Sequence, residues 1–201
     1  MTSREAALCR GVRLEYLTIG WNLLEGLVAM IAGALAGSIA LVGFGLDSAI
    51  EVFSGAVLLW RFKSDKRESE SAERVAVHLV GTSFLLLSAY IVYHAVHSLV
   101  LKEPPRESVL GIVLAIISLA AMPLLATAKR RVAHELGSGA MHADSRQTDF
   151  CAYLSGILLL GLILNAAAGW WWADPVAALV MVPLIAKEGI EGLKGKACCE
   201  S

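Results

Sequence analysis

Long apolar runs separated by short clusters of charge dominate this chain, and they leave it little choice of fold. The charges gather in Arg61–Arg74, Lys102–Glu107, Lys129–Arg131 and Lys187–Glu200. A helix needs about 20 apolar residues to cross the hydrocarbon core of a bilayer, where no water can satisfy a bare backbone. Six candidate spans lie along the chain: Leu14–Leu35, Ile39–Trp60, Val77–Leu101, Val109–Ala128, Ala140–Ala168 and Ala173–Ala186. The last is short, and the fifth is polar in its first half, from His142 to Asp149. Hydrophobic residues make up 57% of the chain and the mean hydropathy is +0.65, too apolar for an ordinary soluble domain. The expected fold class is therefore an all-α integral membrane protein, a bundle of six transmembrane helices. The short Ala/Gly segment Gly33–Ser38 predicts that the first two helices form an antiparallel hairpin.

Loop charge predicts the orientation. With both termini in the cytoplasm, all of the 17 lysines and arginines face inward except Lys102 and Arg106, which lie outside, and Arg146, which lies within a span. That is the bias that holds basic loops in the cytoplasm. It divides the chain into a cytoplasmic segment 1–13, a membrane domain 14–193 and a short cytoplasmic tail 194–201. The cell (inner or plasma) membrane is the expected location. The first sixteen residues carry ionisable side chains and no cleavage motif, so the first helix is expected to serve as an uncleaved insertion signal. Trp170, Trp171 and Trp172 are expected at the outer interface. Cys9, Cys198 and Cys199 fall on the cytoplasmic side, where thiols stay reduced, so no disulfide framework is expected. The net charge of −1 suggests no nucleic-acid partner.

Chemistry concentrates in two spans. Asp47 and Glu51 lie four residues apart and so share one face of the second helix. They stand about 8 and 12 residues from its outer end, near the bilayer middle, where a carboxylate is costly without water, a partner or a cation. Two acids on one face repel unless something positive sits between them. The fifth span opens with Ala-Met-His-Ala-Asp144-Ser-Arg-Gln147-Thr148-Asp149-Phe-Cys151. At about 100° per residue, Asp144, Gln147, Thr148 and Cys151 share a face, while Arg146 and Asp149 point elsewhere. Asp144 is thus expected to matter more to a metal than Asp149. A thiol beside a carboxylate suits zinc or another late divalent ion better than magnesium or calcium. Two readings stay open here: Cys151 also fits a small buried apolar residue, and Gln147 and Thr148 also fit interhelical hydrogen bonds.

Weaker signals lie nearby. Asn22 and Glu25 share a face of the first helix, fit either to cap the site or line a water path, or to pack against another helix. His94 and His97, one turn apart, read as an exit-side metal site or as ordinary interfacial histidines. Cys198 and Cys199 could bind a soft metal transiently. Asp174, before Pro175, is expected to cap the sixth helix. Ala29, Gly33 and Gly37 form a small-residue stripe for close helix packing. No P-loop, dinucleotide fingerprint, nucleophile elbow or HExxH occurs, so an enzyme is not expected.

The stretch Gly37-Ser-Ile-Ala-Leu-Val-Gly-Phe-Gly-Leu-Asp47-Ser-Ala-Ile-Glu51 resembles the first-to-second-helix segment of the cation diffusion facilitator, or cation efflux, family. Ala143-Asp144 through Asn165, with the later Ala-Asp174-Pro175 turn, resembles that family's fifth and sixth helices. The resemblance implies a site that binds Zn²⁺ or a similar divalent cation as substrate, with no organic cofactor, usually in exchange for protons. It also implies a homodimer. Asp47 and Glu51 correspond to the family's first ligand pair. Counting back from Ala-Asp-Pro, Gln147 and Cys151 stand where the family has His and Asp, a departure that moves Asp144 into consideration as a ligand. Many members carry a metallochaperone-like domain after the sixth helix, so the resemblance points to a short branch without one. The expectation is a proton-coupled Zn²⁺ exporter with a midplane site between the second and fifth helices. The alternatives are a non-transporting metal sensor or scaffold, and a membrane enzyme using His142, Asp144 and Cys151.

Overall fold

Glycine sets the two tightest turns. Gly37 (φ 68°) ends α1 and Gly137 (φ 61°) ends α4, both in the left-handed region that a side chain disfavours. Behind them Ser38 N donates to Gly33 O at 3.0 Å, and Ser138 N to Ala133 O at 3.0 Å, which satisfies carbonyls the helix would leave bare. In this computed structural model, which describes residues 3–63 and 66–194, the chain forms α1 (Ser3–Ala36), α2 (Ile39–Lys63), α3 (Lys66–Leu101), α4 (Val109–Leu136), α5 (Gly139–Ala168) and α6 (Ala173–Leu193).

Five of these helices are long and apolar enough to cross a membrane. The sixth, α6, has 21 residues and carries Asp174, Lys187, Glu188 and Glu191 towards its ends. Most helices outrun their apolar cores. α1 begins at Ser3 rather than near Leu14, α3 at Lys66 rather than near Val77, and α4 runs to Leu136 rather than Ala128. Hydropathy finds only the stretch that suits lipid, whereas Arg, Glu, Lys and Ala keep the backbone helical beyond it.

The molecule is apolar outside and polar within. Leu35, Leu86, Leu124 and Tyr153 are among the most exposed side chains, while Glu25, Asp47, Asn22 and Ser48 are buried. α1 packs along α2 and α4, and α2 and α5 meet in the middle. α3 packs mainly on α6. There a Cβ on Gly81 would stand 2.8 Å from Gly189 O, so the two backbones touch directly. Of the expected small-residue stripe, Gly33 does face α2, where a Cβ would lie 2.8 Å from Val42 N. Gly37 serves the turn instead.

The end of the bundle where α1 turns into α2 is tied together by polar contacts. Asp174 does not cap its own helix, since α6 has no side-chain cap. It accepts from Ile39 N at 2.9 Å, from Ala40 N at 3.5 Å and from the Ser38 hydroxyl, and so caps α2. The first turn of α6 therefore holds the bare amides of α2, where a negative charge is favoured. Arg106 N donates to Ala36 O at 2.7 Å, and Asn165 Nδ2 to Pro105 O at 3.3 Å, fastening the α3–α4 loop over α1 and α5. Trp170 and Trp172, both partly exposed, stack at 5.1 Å beside this end.

Candidate metal centre

Asp47 and Glu51 lie about 12 and 18 Å along α2 from its first residue, at 1.5 Å per residue, and so near the middle of the bundle. Cys151 enters the same space from α5. One ligand atom from each of Asp47, Glu51 and Cys151 lies within 4.8 Å of the others, and all three residues are buried.

The hydrogen bonding of this cluster is lopsided. Both Asp47 oxygens, Glu51 Oε1 and Glu25 Oε1 are buried with no partner. Native proteins leave few buried acceptors bare, because each loses its hydration without compensation. Only a handful of donors reach the cluster. Asn22 Nδ2 donates to Glu51 Oε2 at 2.6 Å, and the Ser48 hydroxyl to Glu25 Oε2 at 3.3 Å. Cys151 Sγ lies 3.9 Å from that same Glu25 oxygen. Asp47, Glu51 and Cys151, with Glu25 against the thiol, thus form a buried group rich in lone pairs and, among the described residues, short of donors. Such a group calls for a cation or for protons.

Of the residues expected at the site, Asp47, Glu51 and Cys151 are brought together. Gln147 stands beside them, its Oε1 accepting from Ser54 of α2 at 3.0 Å and its Nε2 unpartnered. Thr148 turns its hydroxyl back to Asp144 O at 3.2 Å. Asp144 lies apart from the cluster, ion-paired to Lys129 at 2.6 Å. Lys129 also meets Glu15 at 3.1 Å, and its side chain is only 1% exposed. Asp149 pairs with Arg130. Of the two weaker candidates in α1, Asn22 and Glu25 both join the cluster. His94 and His97 line a separate cavity of about 270 Å³ beside the α1–α2 turn, with Tyr90, Ser98 and Glu103. Cys198 and Cys199 lie outside the described residues.

Sequence reasoning missed Glu15 and Lys129. Lys129 sits just past the apolar core of α4, where it reads as one more inward-facing loop charge. A signal for Glu15 was present: it lies seven residues before Asn22 and ten before Glu25, near the same face of one helix.

Fold and site together define a polytopic helical membrane protein with a buried, cation-seeking cluster at its centre. The chain belongs to the cation efflux family, whose transmembrane domain matches residues 16–195. Among curated relatives, it is 27% identical to transmembrane protein 163 of Xenopus laevis, over 89% of this chain and 64% of that protein. It is 25% identical to the cation-efflux pump FieF of Shewanella oneidensis, over 65% of this chain and 42% of that one. A cadmium, cobalt and zinc/H(+)-K(+) antiporter of Bacillus velezensis is 26% identical, over 89% of this chain and 60% of the antiporter. The chain spans between 42% and 66% of the length of these and similar relatives.

Proposed function

We propose that this chain carries a divalent transition-metal cation, Zn²⁺ foremost, across the membrane and out of the cytoplasm in exchange for protons. Asp47, Glu51 and Cys151 hold the ion, and Glu25 completes a four-donor shell of the kind zinc prefers. Gln147 positions the site from α5 through its bond to Ser54. The carrying observation is the buried set of carboxylate oxygens that no protein donor satisfies. The names of the relatives support it, since one is a cation-efflux pump and another an antiporter for cadmium, cobalt and zinc.

Metal and protons compete for the same oxygens and sulfur, so binding of the ion releases protons and protonation releases the ion. Exchange then needs only that the cluster face one side and then the other. Helices rocking about a fixed midplane site supply that alternation. Both termini lie on the cytoplasmic side in this scheme, and two copies of the chain form the working unit. The test is uptake into proteoliposomes across a panel of divalent ions, with an internal pH dye. Zinc uptake coupled to a pH change is expected. Metal binding by the purified protein without uptake would make it a sensor or scaffold instead.

A further inference from the structure

A second group of buried charges lies on the inner side of the centre. Lys129 Nζ stands 2.6 Å from Asp144 Oδ2 and 3.1 and 3.3 Å from the two oxygens of Glu15. The Glu15 and Lys129 side chains are 0% and 1% exposed, and that of Asp144 is 12% exposed. Glu15 precedes Asn22 by seven residues and Asp144 precedes Cys151 by seven, so the group lies about 10 Å below the centre along both helices.

One small cavity joins the two groups. Its volume is about 10 Å³, and Glu15, Lys129 and Asp144 border it together with Asn22, Glu51 and Gln147. That is room for about one water molecule. Asn22 Oδ1 and Gln147 Nε2 border it without hydrogen-bond partners, and Asn22 is 1% exposed. Asn22 also bonds Glu51, which itself borders the cavity, so the inner group adjoins the centre.

The acids outnumber the cation. Two acid side chains share one ammonium in a buried setting. A divalent cation in place of the ammonium would cancel both. The lysine is suited to leave, since its charge rides a flexible four-carbon stem near the inner end of α4, from which it can reach the interface.

We propose that Glu15 and Asp144 form a second divalent-cation site, on the inner route to Asp47, Glu51 and Cys151, with Lys129 as a tethered cation that occupies it until a metal ion displaces it. The proposal rests on the reading of the central cluster only for the direction of passage. Asp144 is then a ligand of this inner site and not of the central one.

Calorimetric titration of the purified full chain with Zn²⁺ tests it. Lys129→Gln, with no tethered cation to displace, is expected to bind one more equivalent of Zn²⁺ than the parent chain at concentrations that only fill the parent's central site. Adding Glu15→Gln or Asp144→Asn should remove that extra equivalent, and adding Asp47→Asn should leave it. No extra equivalent in a folded Lys129→Gln protein, or one that survives both carboxylate changes, overturns the proposal. Should Lys129→Gln not fold, Glu15→Gln alone decides, because it keeps the Lys129–Asp144 pair. Its KM for uptake should rise about tenfold while the Zn²⁺ affinity of the central site stays put. An unchanged KM overturns the proposal. If instead Asp47→Asn transports normally, the reading of the central cluster fails, while the extra equivalent of Lys129→Gln remains measurable.

Discussion

Each acid in the core has a different set of neighbours, and those neighbours decide its task. An ionised carboxylate at the centre of a membrane helix costs about 2.5–3.5 kcal/mol, so an unpartnered one needs a cation or a proton. Asp47 is the extreme case, buried with neither oxygen bonded. Asp47→Asn keeps the shape and loses a ligand, and Glu51→Gln does the same, so either is expected to abolish metal uptake while insertion and folding persist. Comparison of proteoliposome flux with the amount of inserted protein measures both. The thiol is the soft member of the set. Cys151→Ser should therefore weaken Zn²⁺ and Cd²⁺ binding far more than Mn²⁺ binding, as competitive titration can read. Asp149, paired to Arg130 and apart from both clusters, should tolerate Asn with no change in zinc affinity.

Helices meet here through caps and bare backbone as much as through apolar side chains. Asp174 sits in α6 yet caps α2, so a change there should loosen the start of α2. Asp174→Ala is expected to lower stability by about 1 kcal/mol or more, the usual loss for a helix cap, read as a lower unfolding midpoint in detergent. The α3–α6 pair depends on Gly81 and Gly189, where a Cβ on Gly189 would stand 3.0 Å from Gly81 O. Gly189→Leu has no room without parting the helices. A cost of at least about 1–3 kcal/mol follows from the overpacking, with the central site left intact in zinc titration.

Across the whole molecule, polar ties close the end where α1 meets α2, whereas the opposite end is held by charge pairs: Lys129 with Glu15 and Asp144, Arg130 with Asp149, and Arg10 with Glu135. Of these pairs, those of Arg10 and Arg130 are partly exposed and open to salt, whereas that of Lys129 with Glu15 is buried and screened far less. The orientation can be checked with the chain's own thiols. Cys9 is exposed and Cys151 buried. In a Cys198→Ser/Cys199→Ser background, an impermeant maleimide should label Cys9 only after the cells are opened, whereas Glu103→Cys should label in intact cells. Labelling of Cys9 from outside would reverse the topology.

The helical membrane fold was legible because lipid imposes its own grammar: runs of apolar residues near twenty, with glycine at the turns. The facing of Asp47, Glu51 and Cys151 was legible too, since spacing along a helix sets direction whatever surrounds it. Neighbours across helices were not. Asp144 shares a face with Cys151 by periodicity, yet Lys129 from α4 claims it. Asp174 reads as the cap of the helix it begins, yet the nearest bare amides belong to α2. Glu25 reads equally as a cap on the site, a lining of a water path or a packing residue, and the bundle brings it against Ser48 and Cys151. Periodicity describes one helix at a time, and local rules end where a helix meets another. Which carboxylate meets a lysine and which is left bare depends on distances between helices, whether 15 residues apart as for Lys129 and Asp144 or 114 as for Lys129 and Glu15, and only the packed bundle sets those distances.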